Sequence, residues 1–161
     1  MSQPRKLIQA LSRKPLRWAT GGFQKLRRAF WYFTRPETLG AHAVPLTRRG
    51  TIVLVKLRYA PGWRVPGGGR KASEDPREAV LRELREEIGM TAHGAVELVS
   101  ELHEKPDFKR DTASLFIVRD VEYRPRWSIE VEAVKEVPAD RLPDDLAGPT
   151  RRWLALVRPM L

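Results

Sequence analysis

The sequence predicts an α/β domain in which a mixed sheet lies between helical layers, preceded by a basic helical arm. Three observations carry this expectation. The chain of 161 residues suits one domain with a real core. The run "TIVLV" at 51–55 has no polar alternation, as in a strand covered on both faces. Strand-like and helix-like stretches then follow one another in mixed order, which points to a single α/β unit, residues 38–161, behind an arm of residues 1–37.

In the arm, Phe23, Leu26, Phe30 and Phe33 recur every three or four residues around Lys25, Arg27 and Arg28, the period of an amphipathic helix over 23–33. Leu7, Ile8 and Leu11 suggest a shorter helix, and Pro15 with Gly21-Gly22 should divide the arm. Next, "LGAHAVPLT" and "TIVLVKLR" are β-rich and separated by "RRG", which reads as a hairpin with strands near 39–47 and 51–58. Pro45 should place the first of them on or near an edge. A helix is expected over 76–88, opening at Pro76 with Ser73 or Asp75 as cap and ending at Gly89. Strands follow near 95–103, 112–121 and 129–137, then a short helix after Pro138 and a last one from Thr150, a plausible cap, to about Met160.

Composition excludes several classes. No apolar run approaches the ~20 residues of a membrane span, and with no cysteine there is neither a disulfide framework nor a thiolate zinc site. A cytoplasmic enzyme is the resulting expectation. The net charge is +10, and residues 1–37 hold nine Lys or Arg against Glu37 alone, or +8 of that total. Arginines interrupt the arm's apolar residues throughout, unlike a secretory signal. An Arg-rich, acid-poor arm also fits a mitochondrial transit peptide, although its aromatics count against one. Its interleaved aromatics and arginines suit an anionic membrane surface, a nucleic acid, or docking onto the domain itself.

The helix at 76–88 sets Glu83, Glu86 and Glu87 close together. With Val80 as origin, Val80, Leu84, Ile88 and Leu81 span an apolar arc of about 100°, while Glu87, Glu83 and Glu86 fall at about 340°, about 300° and about 240°. The carboxylates thus border the buried stripe, with Arg82 beyond them. A solvated charged face is the ordinary explanation of such a helix. Against it, neighbouring like charges cost roughly 0.2–0.5 kcal/mol per pair, and a bound divalent cation reverses that sign. Gly67–Gly69 lets backbone approach a ligand closely and offers carbonyl oxygens.

Gly68, five residues, Glu74, seven residues, Arg82-Glu83, two residues, Glu86-Glu87, one residue and Gly89 resemble the Nudix box, with every fixed position present. Such a pattern recurs by chance on the order of once in 10⁶ to 10⁷ chains of this length. Leu84 and Ile88 also match, and "WRVPGGG" resembles the strand that enters the box. The likeness extends loosely over 38–161 and leaves out the arm. It implies an α/β/α sandwich and metal-dependent hydrolysis of a nucleoside diphosphate linked to another group. It further implies that Glu83, Glu86 and Glu87, with Gly67, hold Mg²⁺ (or Mn²⁺ in its place), that Glu83 or a nearby acid activates water, and that Arg82 and Glu74 lock loop to helix.

The resemblance also calls for a carboxylate from a later strand or loop. Glu130 aligns there, with Glu132 as the alternative. An aromatic commonly stands where Glu136 does, so the alignment could slip by two. Arg70 and Lys71 replace residues that are frequently acidic and are candidates for substrate phosphates or for solvated loop charges. Tyr59 and Trp63 are candidates for stacking on a base, or for packing. Pro106 lies sixteen residues after Met90, a weak pointer to ADP-ribose hydrolases. His42, His93 and His103 lack metal-ligand spacing and read as packing or surface residues.

Three functions follow as expectations. The leading one is Mg²⁺-dependent cleavage of a small nucleotide, such as a nucleoside triphosphate or an ADP-ribose-like compound. The second is a Nudix-fold protein that binds nucleic acid or a membrane surface. The third is an RNA 5′-pyrophosphohydrolase that holds its strand with the arm.

Overall fold

The computed structural model describes residues 37–104 and 110–161. The expected arm helices and Pro106 lie outside them. In chain order the elements are β1 (Glu37–Pro45), β2 (Ile52–Leu57), β3 (Trp63–Arg64), β4 (Gly67–Gly69), α1 (Pro76–Glu87), β5 (Met90–Ala92), β6 (Val96–Glu104), β7 (Arg110–Val118), β8 (Glu122–Tyr123), β9 (Val131–Val137) and α2 (Gly148–Val157). A 3₁₀ turn, Arg158–Met160, extends α2.

The expected sheet between helical layers is present. One sheet is mixed, in the order β4-β1-β7-β6, with β1 parallel to β7 and antiparallel to β4. A second, antiparallel sheet runs β3-β2-β9, and β5 pairs with β8. Alternation along β2 explains its continuous apolar run. Val53, Val55 and Leu57 enter one core with Ala79, Val80, Leu81, Leu84 and Ile88 of the α1 region. Ile52 and Leu54 enter the other core, with Trp153, Leu154 and Val157 of α2. A strand whose two faces meet two different helices can have no polar side.

The hairpin is corrected. Its turn exists, with the Thr47 N–H donating to Thr51 O at 3.0 Å, the Gly50 N–H to Thr47 O at 2.9 Å, and a bridge joining Leu46 to Ile52. Beyond the bridge the strands part into different sheets. Residues 37–45 of β1 are all in register with 110–118 of β7, so β2 is left to pair with β3 and β9. Pro45 stands near an edge, as expected, because β1 is second in its sheet beside the short β4. Pro45 is tolerated since β4 covers only Gly40–His42 and leaves that flank free at the strand's end.

The last strand starts at Val131, so Glu130 sits in the bend before it. No helix follows Pro138. The segment turns instead, the Arg141 N–H donating to Pro138 O at 3.1 Å, because Pro143 and the aspartates after it favour turns. Thr150 is not the cap of α2, which begins at Gly148 with Pro149 in its first turn. The Thr150 hydroxyl is buried and accepts the Val65 N–H at 3.3 Å, tying α2 to the segment before β4.

Candidate active site

Helix α1 has a firm start and stop. The Asp75 carboxylate accepts the N–H groups of Arg77 (2.8 Å) and Glu78 (3.2 Å), and Pro76 occupies the first turn. At the other end the Ile88 N–H donates to Leu84 O, and Gly89 follows at φ 68°, the left-handed region. Ala79, Val80, Leu84 and Ile88 are fully buried, which fixes the rotation of the helix. At ~1.5–3 kcal/mol for each fully buried Val, Leu or Ile, these contacts outweigh repulsion among neighbouring glutamates. The apolar stripe therefore aims the carboxylates.

Pairing of β4 with β1 brings Gly67 and Gly68 against that row. The Gly67 N–H donates to Glu87 Oε2 at 2.8 Å. A Cβ on Gly68 would lie 2.8 Å from Glu83 Oε1, so a side chain there would push the Glu83 carboxylate out of its place. Arg82 joins loop to helix: it donates to Glu74 Oε1 (3.0 Å), Glu83 Oε1 (2.7 Å), Glu86 Oε2 (3.4 Å) and the carbonyl of Gly69 (3.2 Å). These bonds hold the Glu74 carboxyl below its ordinary range.

Glu87 is the most buried of the acids. Burial, with the charges of Glu83 and Glu130, pushes its carboxyl up to about 7 against the opposing Gly67 hydrogen bond. Burial also raises Glu83, whose side chain is 13% exposed, while Arg82 opposes the shift and Glu86 and Glu130 add to it. Glu86 is open to solvent. The charge of Glu130 is felt by Glu83, Glu87 and Tyr59 alike, which sets it at the edge of the cluster. Its peptide is anchored, because Arg58 N–H donates to its carbonyl at 2.9 Å and its own N–H donates to Ser128 Oγ. Glu132 is exposed on β9, and Glu136 is engaged elsewhere by Arg49, Thr51 and Tyr123.

Tyr59 is exposed beside the acids, and partial desolvation, then the charges of Glu130 and Glu87, raise its pKa. Trp63 faces the other way, packed against the α2 core with the ammonium groups of Lys56 and Lys135 at 5.9 and 5.7 Å from its ring. Arg70 spends one guanidinium nitrogen on the carbonyls of Lys71 and Glu74, which braces the loop. His42 stacks on Trp153 with ring centroids 4.6 Å apart, while His93 and His103 are exposed. Arg64, whose charge lowers Glu87, escaped the sequence reading. Its one signal was the alternation that places it opposite Trp63 on β3.

Among the described residues, no group of three or more His, Cys, Asp or Glu side chains is gathered closely enough to hold an ion alone. The donors nonetheless fit a hard divalent cation. They are all oxygens, their negative charge is half buried, and Mg²⁺ usually takes only one or two carboxylates, completing its shell with water and substrate phosphate. No helix among the described residues is long and apolar enough to cross a membrane.

Comparison with known proteins agrees with this geometry. The chain is 48% identical over 67 residues to the RNA pyrophosphohydrolase of Acidiphilium cryptum, 40% of this chain and 39% of that protein. It is 40% identical over 58 residues to the 8-oxo-dGTP diphosphatase of Proteus vulgaris, 36% of this chain and 51% of that one. The chain thus spans about two fifths to one half of the length of these relatives. Its fold is similar to the MutT NUDIX hydrolase of Burkholderia pseudomallei, with TM-score 0.65 and 28% identity over 75% of this chain and 98% of that one. The family model of the NUDIX domain matches residues 36–157, and the chain belongs to the Nudix hydrolase family.

Proposed function

We propose that the chain hydrolyses the phosphoanhydride of a nucleoside 5′-polyphosphate, taking its proton-accepting and charge-balancing groups from α1. The reading is carried by one observation: Glu87 is buried and Glu83 half-buried against the Gly67–Gly68 strand, and Arg82 ties Glu83 to Glu74. Relatives named RNA pyrophosphohydrolase and 8-oxo-dGTP diphosphatase support this reading.

Glu83, Glu86 and Glu87, with the carbonyl of Gly67, would hold Mg²⁺, which when bound neutralises phosphate charge and makes a water more acidic. Glu83 takes the proton of the attacking water. A bond forms between the water oxygen and one phosphorus as the anhydride P–O bond breaks, and the departing phosphate oxygen carries the electron pair away. Arg82 keeps the Glu83 carboxylate in place, and Gly68, having no side chain, leaves that carboxylate room beside the strand. Glu130 stands at the mouth as a second acid for the water. Tyr59 offers a ring to the base, and Arg70 shapes the loop around the phosphates.

The test is a panel of nucleoside triphosphates, dinucleoside polyphosphates, ADP-ribose, nucleotide sugars and 5′-triphosphate RNA, each with Mg²⁺. Release of phosphate or pyrophosphate from at least one nucleotide, abolished by chelator, is the expected result. No turnover on any member would overturn the reading.

A further inference from the structure

The segment between β8 and β9, "RPRWSIE", leaves an unusual surface beside the acids. Trp127 is 82% exposed, Ile129 75% and Tyr59 71%, the three most exposed large apolar side chains among the described residues. The backbone anchors this segment at both ends. The segment starts against the end of α1, where Arg124 N–H donates to Gly89 O at 3.0 Å, and finishes at Glu130, whose carbonyl accepts the N–H of Arg58 beside Tyr59. Arg58, Arg124 and Arg126 are exposed, and no hydrogen bond or ion pair engages their guanidinium groups among the described residues. Unpaired arginines interleaved with open planar rings match a chain of alternating phosphates and bases.

We infer that this rim binds the first few nucleotides of a single-stranded RNA whose 5′ phosphates lie at Glu83 and Glu87. The inference rests on the reading above and names its substrate: the nucleoside 5′-polyphosphate is the end of a strand. Trp127 is three residues from Glu130, at most about 10 Å of extended chain, so a strand leaving the acids meets its ring within those nucleotides. A stacked base tolerates any sequence, since every base has a π-face. An apolar protein partner would leave the three arginines without a function. A lipid surface would approach the mouth of the site and close it to a soluble substrate.

The experiment measures affinity apart from turnover. Full-length Glu83→Gln protein is titrated against a fluorescent eight-nucleotide RNA bearing a 5′-triphosphate, and against a nucleoside triphosphate, in 0.15 M salt. The RNA should bind more tightly, and adding Trp127→Ala should reduce that advantage on the order of ten-fold. The Trp127 ring is solvent-exposed, so the melting temperature checks that the fold is kept. RNA carrying 4-thiouridine at its third position should cross-link to the tryptic peptide 127–135. An RNA advantage that survives Trp127→Ala, or cross-links confined to other peptides, would overturn the inference. So would Trp127-dependent binding to phosphatidylglycerol vesicles with RNA affinity unchanged. If the RNA results hold while the wild-type chain and Mg²⁺ turn over no nucleotide, the hydrolase reading fails and the RNA surface stands.

Discussion

Glu83 sits at the meeting point of burial and charge, which separates its proposed chemical duty from any structural one. Its carboxylate is disfavoured by burial and by Glu86 and Glu130, so the fold gains little from its charge. Glu83→Gln should lower kcat by about 10²–10⁴-fold on a confirmed substrate, with the melting temperature of metal-free protein unchanged or slightly raised. Wild-type turnover in that variant would remove this helix from the chemistry. Glu136 behaves in the opposite way. Burial opposes its ionisation, yet hydrogen bonds from Arg49, Thr51 and Tyr123 prevail and hold its pKa below the ordinary 4.5. A depressed acid stabilises the fold fully above its unfolded pKa and loses that contribution as pH falls through the folded one. Glu136→Gln should therefore cost about 1 kcal/mol at neutral pH, and the gap between thermal melts of variant and wild type should close progressively as pH falls below the ordinary 4.5. A constant gap across that range would refute the assignment. At this scale, helix periodicity made the acids of α1 legible. It could not divide Tyr59 from Trp63, because their separation depends on where a two-residue strand begins and which face it shows.

Helix α1 was readable almost to the residue because its stripe, its cap and its terminating glycine agree. Gly89 carries the boundary: at φ 68°, its missing Cβ would lie 2.0 Å from the carbonyl oxygen of Arg124. Both the backbone angle and the neighbouring backbone resist a side chain, so Gly89→Ala should destabilise the protein by on the order of 2–4 kcal/mol. A calorimetric melt should fall by about 5 °C or more, and an unchanged melting temperature would contradict the contact. The hairpin was misread for a reason that local sequence does not contain. Its turn chemistry is sound, but the partner that captures β1 lies at 110–118. The short β5 and β8 are equally silent in the sequence, since two or three residues display no period, and β3 and β4 were legible only through the resemblance of "WRVPGGG".

Across the whole molecule, charge is unevenly divided along the chain. Residues 1–22 hold Arg5, Lys6, Arg13, Lys14 and Arg17 and no acid. If the arm lies along the same strand as the rim at Trp127, deleting these residues should flatten the log–log salt dependence of RNA affinity by up to about 3.5, at roughly 0.7 per neutralised phosphate on a single strand. An unchanged slope would show that those five charges touch no phosphate. The three-layer architecture was legible because a continuous apolar strand demands cover on both faces. The division of its strands into two sheets was not, because it depends on contacts far apart in the chain.

The parallel pairing of β1 with β7 has a consequence in time. Glu37 meets Arg110, and Ile52 meets Val137, so each of these pairings must wait for most of the domain to be made. The Gly67–Gly68 strand and the glutamates of α1 lie inside the loop that the first pairing closes. As synthesis proceeds from the amino end, the acids emerge well before β7 can hold β1 in register beside β4. Long loop closures of this kind slow folding to about milliseconds or more. The nascent chain therefore carries the glutamates of α1 in sequence, without the paired strands that would fix them in place, until its last strands arrive.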